Sequence, residues 1–332
     1  MENTENRTAG EIDDVLLSVR DLEVRYTAGG KIIYAVNGVS FDLMRGLTLG
    51  LVGETGAGKT TIAKSILRVL PDPPAKITGG SIILNGVDIF SISEREMRKI
   101  RGNKVSMIFQ DPMTALNPVF SVGKQIEEVI KLHSENLSRK DLIFKAAEML
   151  ELVGIPTDRY NEYPHQFSGG MKQRVIIAMA MACNPELLLA DEPTTALDVT
   201  IQAQVLDTMS KLREKFNTSV IMITHDMGIV AEVCDAVAVV YAGEIVEMGT
   251  KEEIFDHHIH PYTRGLFSCI PNINREVDML YTIPGNPPNP AKLPVGCHFR
   301  PRCEYATALC GESPAIPMTE ASPGHFCRCC NI

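Results

Sequence analysis

The order of apolar and polar positions predicts an alternation of strands, loops and helices. Residues 16–24 and 38–43 alternate apolar with polar side chains on either side of the turn-forming Ala28-Gly29-Gly30, which predicts antiparallel strands. Residues 47–52 form a short apolar run that leads into a glycine-rich loop and then into helical spacing over 60–69. The pattern therefore predicts a strand, a loop and a helix in direct succession.

The centre of the chain is predicted to be helical. Apolar residues recur at helical spacing between 121 and 151, and two short apolar runs, 187–190 and 220–223, follow with a helical pattern after each. Buried strands that alternate with helices are typical of a parallel sheet covered on both faces. The sequence thus predicts an α/β fold.

The composition changes after Cys269, where prolines recur too often for long helices. We therefore divide the chain into a main domain at 1–270, with a helical subdomain at about 112–180, and a Cys/Pro-rich C-terminal extension at 271–332.

The charge and hydropathy of the chain disfavour several classes of function. The net charge of −9 and the absence of a Lys/Arg run disfavour a nucleic-acid partner. The polar, acidic residues 1–14 do not resemble a secretory signal. The apolar stretch 175–190 is interrupted and falls short of the roughly 20 residues that cross a bilayer. We expect a cytoplasmic protein that does not itself span the membrane.

A phosphate-binding motif lies between the predicted strand and helix. It reads Gly53-Glu54-Thr55-Gly56-Ala57-Gly58-Lys59-Thr60 and is followed by Thr61, which we include in the site. Its glycines let backbone N–H groups approach the phosphates, Lys59 adds a positive charge, and Thr60 offers a hydroxyl to Mg²⁺. A plain glycine turn would explain the glycines but not the lysine and threonines in register. The motif predicts binding of a nucleotide with Mg²⁺.

Two carboxylates follow the apolar run 187–190. The carboxyl end of a parallel strand is where an open α/β sheet binds its ligand. We assign Asp191 to Mg²⁺ and Glu192 to the attacking water, since phosphoryl transfer depends on positioning and charge stabilisation. The alternative is an acidic pair that caps the segment before Pro193.

Two polar residues follow neighbouring predicted strands. Gln110 comes after 105–109 and His225 after 219–224, which places both at the same edge of the sheet as Glu192. We predict that both sense the γ-phosphate and that Gln110 also contacts Mg²⁺. A lone histidine is more often a surface or packing residue.

The segment Ser168-Gly169-Gly170-Met171-Lys172-Gln173 resembles the signature motif of ABC ATPases, and the resemblance covers about 16–271. It implies a P-loop NTPase with a RecA-like parallel-sheet core, an antiparallel β-subdomain and a helical subdomain. It also implies a dimer in which Ser168, Gly169 and Gly170 close over ATP held by the partner. By the same resemblance Tyr26 stacks on adenine, unless it is an ordinary exposed strand tyrosine, and Asp198 crosses the dimer interface.

This signature departs from the common form. It begins with Phe167 instead of leucine and has Met171 where glutamine is usual. The serine and both glycines are intact, so we expect an active composite site in which Met171 alters the contact with the partner.

Longer matches at 109–118, 192–200 and 260–263 resemble the ATP-binding subunits of peptide/nickel importers, of the dipeptide type. The resemblance implies two ATPase subunits beneath two transmembrane permease subunits at the cytoplasmic face of the membrane. In that family the two ATPase subunits differ, and a pair of identical subunits stays open as the alternative. An extracellular binding protein would deliver the peptide, and the helical segment after Gln110 would receive a coupling helix. Dipeptide, oligopeptide, nickel and other small solutes stay open as substrates.

A different class contains ABC ATPases that act on nucleic acids or ribosomes. Those proteins typically carry long coiled-coil insertions or two cassettes in one chain. Here about 115 residues separate Gly53 from Ser168, there is one cassette, and the charge is acidic. These features disfavour that class.

Nine cysteines occur, and six lie between 297 and 330. The tail resembles the C-terminal extension of the same importer subunits, some of which carry a [4Fe–4S] cluster. We hypothesise that such a cluster is held by Cys297, Cys303, Cys310 and Cys327. Cys329 or Cys330 could replace Cys327, and Zn²⁺ or unligated buried thiols are the alternatives. The other three cysteines lie in apolar contexts that are typical of core residues, namely Cys183, Cys234 and Cys269.

Overall fold

The structure, a computed structural model, describes residues 14–110, 115–195, 197–269, 282–313 and 315–331. It divides into two compact units. The first unit comprises the described residues of Met1–Leu16, Leu43–Thr48 and Ile89–Met222, and the second those of Leu17–Asp42, Leu49–Asp88 and Ile223–Ile332.

The regular elements alternate along the chain as an α/β protein requires. The described strands are β1 Val15–Ala28, β2 Lys31–Met44, β3 Thr48–Val52, β4 Ala75–Leu84, β5 Val87–Asp88, β6 Val105–Ile108, β7 Leu187–Asp191, β8 Ser219–Thr224, β9 Ala236–Tyr241, β10 Glu244–Thr250, β11 Thr319–Ser322 and β12 His325–Cys327. The described α-helices are α1 Lys59–Ile66, α2 Glu94–Ile100, α3 Val122–His133, α4 Arg139–Leu152, α5 Gly169–Met181, α6 Val199–Phe216, α7 Met227–Val233, α8 Lys251–Asp256, α9 Pro261–Ser268 and α10 Leu309–Glu312.

The second unit contains the predicted antiparallel sheet, in the order β2-β1-β4-β5. Leu17 of β1 lies opposite Leu84 of β4, and both side chains are buried. The sequence predicted β2 only from residue 38, but it begins at Lys31. Ile32 and Tyr34 are exposed in that early part, so the alternation that would reveal a half-buried strand is missing there.

The C-terminal extension continues a sheet of the second unit. Strands run in the order β11-β12-β10-β9-β3, with β3 parallel to β9 and the hairpin β11–β12 joined to β10. β3 is buried throughout and leads directly into the phosphate-binding motif. The extension therefore adds two strands to the sheet that carries this motif.

In the first unit, β6 and β7 are parallel neighbours and β8 lies on the other side of β7. The predicted helical subdomain contains α3, α4 and α5. Ser138 begins α4 through a capping box with Asp141, which satisfies backbone N–H groups that have no partner inside the helix. The α/β prediction is confirmed.

The predicted domain boundary near 270 falls at the edge of 270–281, outside the described residues, and stays a prediction. No helix in the described part of the chain has both the length and the apolar character needed to cross a bilayer.

Candidate functional site

The backbone of the phosphate loop, Gly53–Thr60, requires glycine at two positions. Gly53 has φ of +146°, and a Cβ there would lie 2.1 Å from the carbonyl oxygen of Val240. Gly58 has φ of +107°, and its Cβ would lie 2.5 Å from the carbonyl oxygen of Ala35. An alanine at either position would force the loop out of this conformation. The loop is thus fixed by close backbone packing within the second unit.

Lys59 begins α1 and lies inside the loop. It is buried, and its Nζ donates to the carbonyl oxygens of Gly53 at 2.6 Å and Glu54 at 3.0 Å. The preceding Gly58 provides no side-chain cap for the helix. An ammonium group and the first turn of a helix therefore meet at the loop, which is the arrangement that binds phosphate.

Two further predicted residues flank the loop. The hydroxyl of Tyr26 lies 3.5 Å from Oγ1 of Thr61. Tyr26 is thus placed beside the residue that follows Thr60, where an aromatic ring could contact a bound base. Its role in stacking stays a prediction.

Glu54 has partners that the sequence analysis missed. Both oxygens of its carboxylate accept hydrogen bonds from Arg302 of the extension, and its backbone N–H donates to the hydroxyl of Tyr262 at 2.9 Å. The position of Tyr262 is set by His260, whose Nδ1 accepts from the Tyr262 N–H at 3.1 Å. Burial lowers the pKa of His260 to about 3, so its imidazole is neutral and able to accept. The resemblance of the segment 260–263 to importer subunits singles out Tyr262. The sequence does not show, however, that Tyr262 contacts Glu54 of the loop.

Gln110 and Glu192 of the first unit meet as the strand order predicted. Nε2 of Gln110 donates to the Glu192 carboxylate at 2.9 Å, and Oγ1 of Thr195 donates to the same oxygen at 3.1 Å. Glu192 has φ of +49°, a left-handed conformation that is rare outside glycine and clusters at functional sites. Asp191 is almost fully buried at the end of β7. The first unit thus presents an oriented carboxylate and a buried one on consecutive residues.

The signature motif forms the start of α5. Ser168 caps the helix by accepting from the N–H of Met171 at 3.4 Å. A Cβ on Gly170 would lie 2.2 Å from Cγ2 of Ile201, so α6 packs too closely for any larger residue, while Gly169 has more room. The roles of Ser168, Gly169 and Gly170 toward a partner's ATP stay predictions.

Both departures from the usual signature contact one arginine. The Arg159 guanidinium lies 4.5 Å from the ring centroid of Phe167 and donates to Sδ of Met171 at 3.3 Å. Arg159 also pairs with Glu162. The unusual Phe167 and Met171 therefore pack within one local cluster.

Asp198 and His225 each lie directly next to a regular element, Asp198 before α6 and His225 after β8. Asp198 caps α6 by accepting from the N–H of Ile201 at 2.9 Å, a structural role that exists beside the predicted interface role. His225 is exposed directly after β8. The predicted contacts of both residues with nucleotide or partner stay predictions.

The cysteine-rich tail does not support the predicted cluster. Among the described residues, no group of three or more His, Cys, Asp or Glu side chains is arranged to hold a metal ion. The sulfur of Cys310 lies 3.0 Å from that of Cys330, and Cys327 is fully buried in β12. Burial raises the pKa of Cys297 to about 11 and that of Cys327 above its usual range, whereas the pKa of Cys310 is lowered because its hydrogen bonds, the first of them with Cys330, outweigh the effect of burial. The described residues therefore lend no support to the [4Fe–4S] cluster or to its Zn²⁺ alternative.

Two known family profiles match this chain, one in the main domain and one that reaches into the C-terminal extension. The sequence profile described as ABC transporter matches residues 36–195, and the profile described as oligopeptide/dipeptide transporter, C-terminal region, matches residues 246–310. The first match contains the phosphate loop, Gln110, Ser168 and Glu192. The second contains Tyr262 and Arg302.

Curated relatives match over nearly the whole chain. A probable peptide ABC transporter ATP-binding protein of Sinorhizobium fredii is 49% identical over 95% of this chain and 95% of its own. The oligopeptide transport ATP-binding protein OppD of Escherichia coli is 46% identical, covering 95% and 93%. The dipeptide transport ATP-binding protein DppD of Bacillus subtilis is 49% identical, covering 95% and 94%.

A solved structure has the same fold. The ATP-binding cassette MJ0796, described as dimeric in a post-hydrolysis state with ADP and Pi, aligns with a TM-score of 0.64 at 26% identity, over 71% of this chain and 99% of that one. Together with the relatives and the two profiles, this shows that the chain belongs to the ABC transporter family, as an ATP-binding, ATP-hydrolysing subunit of its oligopeptide and dipeptide branch.

Proposed function

We propose that the chain binds MgATP through the phosphate loop and Thr61, and hydrolyses it to drive peptide import through a membrane transporter. The observation that carries the hydrolytic part is the 2.9 Å hydrogen bond between Gln110 and Glu192 at the ends of adjacent parallel strands. That contact fixes the carboxylate that would accept a proton from the attacking water. Positioning of this kind is most of what a protein contributes to phosphoryl transfer.

Each part of the predicted site has a distinct role in this proposal. Lys59 and the loop N–H groups hold the phosphates, and His225 donates to the γ-phosphate. Thr60, Gln110 and Asp191 would supply the oxygen ligands that Mg²⁺ prefers, and the ion would, when bound, offset charge on the phosphates. Glu192 orients the water and takes its proton. Tyr26 stacks on the adenine.

Turnover in this proposal requires a second ATPase subunit. Ser168, Gly169 and Gly170 would close over ATP bound to the partner, and Asp198 would reach across the interface. The dimeric cassette MJ0796 supports pairing of this fold. The resemblance to peptide importers favours two different ATPase subunits, although two copies of this chain would form the same type of interface.

The relatives support the proposed transport step. OppD and DppD are named for oligopeptide and dipeptide transport, which supports peptides as the cargo. The chain would dock at the cytoplasmic face of the membrane on two permease subunits, with an extracellular protein that delivers the peptide. ATP-driven closure would then move the permease, and hydrolysis at Glu192 would reset it.

Uptake of labelled dipeptide tests this proposal in cells that express the chain from its own gene. Replacing Glu192→Gln should abolish dipeptide uptake, while the matched surface change Asp207→Asn on α6 should leave it unchanged. Nickel uptake is measured in the same cells. Loss of nickel uptake with normal dipeptide uptake would overturn the assignment of peptides as cargo, and normal uptake of both would overturn the role of Glu192.

A further inference from the structure

Arg302 ties the C-terminal extension to the phosphate loop. Its Nη1 and Nη2 donate to the two carboxylate oxygens of Glu54 at 2.8 and 3.0 Å, a two-pronged contact between residues 248 positions apart. Its Nε donates to the carbonyl oxygen of Pro284 at 2.9 Å. Planar guanidinium and carboxylate groups that pair in this way are both strongly bound and fixed in orientation.

The pair is enclosed by aromatic rings. The Arg302 side chain is only 5% exposed, and its guanidinium carbon lies 5.8 Å from the ring centroid of Tyr241 and 5.9 Å from that of Phe299. Tyr241 also accepts from Nη1 at 3.3 Å and packs against Tyr262 with centroids 4.5 Å apart. Charges in such surroundings are screened less than charges in water.

Glu54 belongs to the wall of the loop. Its carbonyl oxygen accepts from Nζ of Lys59 at 3.0 Å and from the N–H of Ala57 at 3.2 Å. A carboxylate at this position repels an approaching triphosphate unless a positive charge offsets it. Arg302 supplies that charge from the extension and holds the Glu54 side chain in one orientation.

We propose that Arg302 is a positioning and charge-compensating residue for the phosphate loop, so that the C-terminal extension sets the affinity of the chain for ATP. This inference rests on the proposed nucleotide site. This role differs from a purely structural contact between the extension and the loop. A structural contact is lost whichever of the two residues is changed. Repulsion of the phosphates by Glu54, in contrast, disappears when the Glu54 side chain is neutral.

Equilibrium binding of MgATP to the full chain separates the two roles. Arg302→Met should weaken binding about 10-fold, because an uncompensated carboxylate then remains on the loop that binds the phosphates. Glu54→Gln alone should bind MgATP at least as tightly as the wild type, and Glu54→Gln combined with Arg302→Met should restore most of the lost affinity. The change in KM should follow the change in affinity, with kcat nearly constant, since Arg302 does not touch the reacting atoms.

Three controls make the result decisive. Arg300→Met alters the neighbouring arginine of the same turn and should leave affinity unchanged. Arg302→Lys keeps the charge and should lose less affinity than Arg302→Met, and it serves as the test if the methionine variant does not fold. A melting curve for each variant shows whether the loop effect is separate from loss of folding.

The inference is overturned if Glu54→Gln weakens binding as much as Arg302→Met, or if the double variant is no better than Arg302→Met. Failure of the proposed function would look different. In that case the wild-type chain itself would bind no MgATP, or Lys59→Ala would bind as well as the wild type.

Discussion

The phosphate loop and the C-terminal extension are both poor in regular structure, yet they are held in different ways. The loop is held through its backbone, because glycines at positive φ pack against the carbonyl oxygens of Val240 and Ala35 and Lys59 donates back to the loop carbonyls. The extension is held by pairs of side chains that are distant in sequence. Arg302 binds Glu54, and Glu247 of β10 binds His325 of β12.

The two regions are therefore expected to respond differently to mutation. A loop held by backbone packing keeps its shape when a nearby side chain changes, so such changes alter chemistry. An extension held by a few buried polar pairs depends on each of them, because removal of one partner leaves the other buried and unpaired. Function is therefore expected to be separable from stability in the nucleotide site and coupled to it in the extension.

Loss of the Glu192 carboxylate should reduce ATP hydrolysis more than any other change proposed here reduces activity or stability. Glu192→Gln removes the proposed proton acceptor and keeps the shape of the side chain, so kcat for ATP should fall by about 10²- to 10⁴-fold. The dissociation constant for MgATP and the melting temperature should change little. Steady-state hydrolysis and calorimetry measure these quantities, with Asp207→Asn on α6 as the control. Normal turnover by Glu192→Gln would remove that residue from the mechanism.

A change at Glu247 should destabilise the packing of the extension. Glu247 is fully buried and accepts from Nε2 of His325 at 2.9 Å and from the N–H groups of Ile259 and His260 at 2.6 and 3.1 Å. Glu247→Ala leaves these donors without their acceptor and should lower the free energy of unfolding by about 3 to 5 kcal/mol. Denaturant titration measures the loss.

Glu252→Ala is the control for this change, since Glu252 is exposed on the neighbouring α8. It should alter the unfolding free energy by less than about 0.5 kcal/mol. Equal losses in the two variants would show that the buried pair does not hold the extension.

The smallest expected effect concerns pH. Burial raises the pKa of Glu244 from 4.5 to about 7, beside His298 with Nδ1 at 3.2 Å, and burial lowers the pKa of that histidine. A raised carboxyl pKa means that the folded state binds the proton more tightly. Its stabilising contribution is complete below pH 4.5 and is lost as pH rises to about 7.

Glu244→Gln should remove this dependence. Above pH 7 the variant should be more stable than the wild type by about 1 to 3 kcal/mol, and the two should converge toward pH 4.5. Melting curves across this pH range measure the difference. Parallel curves for the two proteins would assign the pH dependence to other groups.

The nucleotide site could be predicted from the sequence because its chemistry is local. The eight residues of the phosphate loop stand in register between a strand and a helix, and Gln110 and Glu192 follow strands that had to be neighbours for the site to work. The start of β2 was missed because its first residues are exposed, so their apolar side chains carry no alternation.

The extension could not be predicted because its contacts link distant residues. No spacing rule pairs Arg302 with Glu54 or Glu247 with His325. The resemblance of the tail to importer subunits suggested a cluster of four sulfurs, and it gave no indication that the fold would bury Cys327 in β12 and place Cys330 beside Cys310. Composition identified the extension as a separate segment but gave no information about what it holds.

Calorimetric titration of the wild-type chain and of Lys59→Ala with MgATP tests the central claim, that this chain is an ATP-binding motor subunit, most directly. The wild type should bind MgATP. The affinity of Lys59→Ala for MgATP should be about 10- to 100-fold lower, since a buried charge-assisted contact to phosphate is lost. Lys64→Ala, on the same helix, should bind as the wild type does. Equal affinity of the wild type and Lys59→Ala, or no binding by either, would contradict the account.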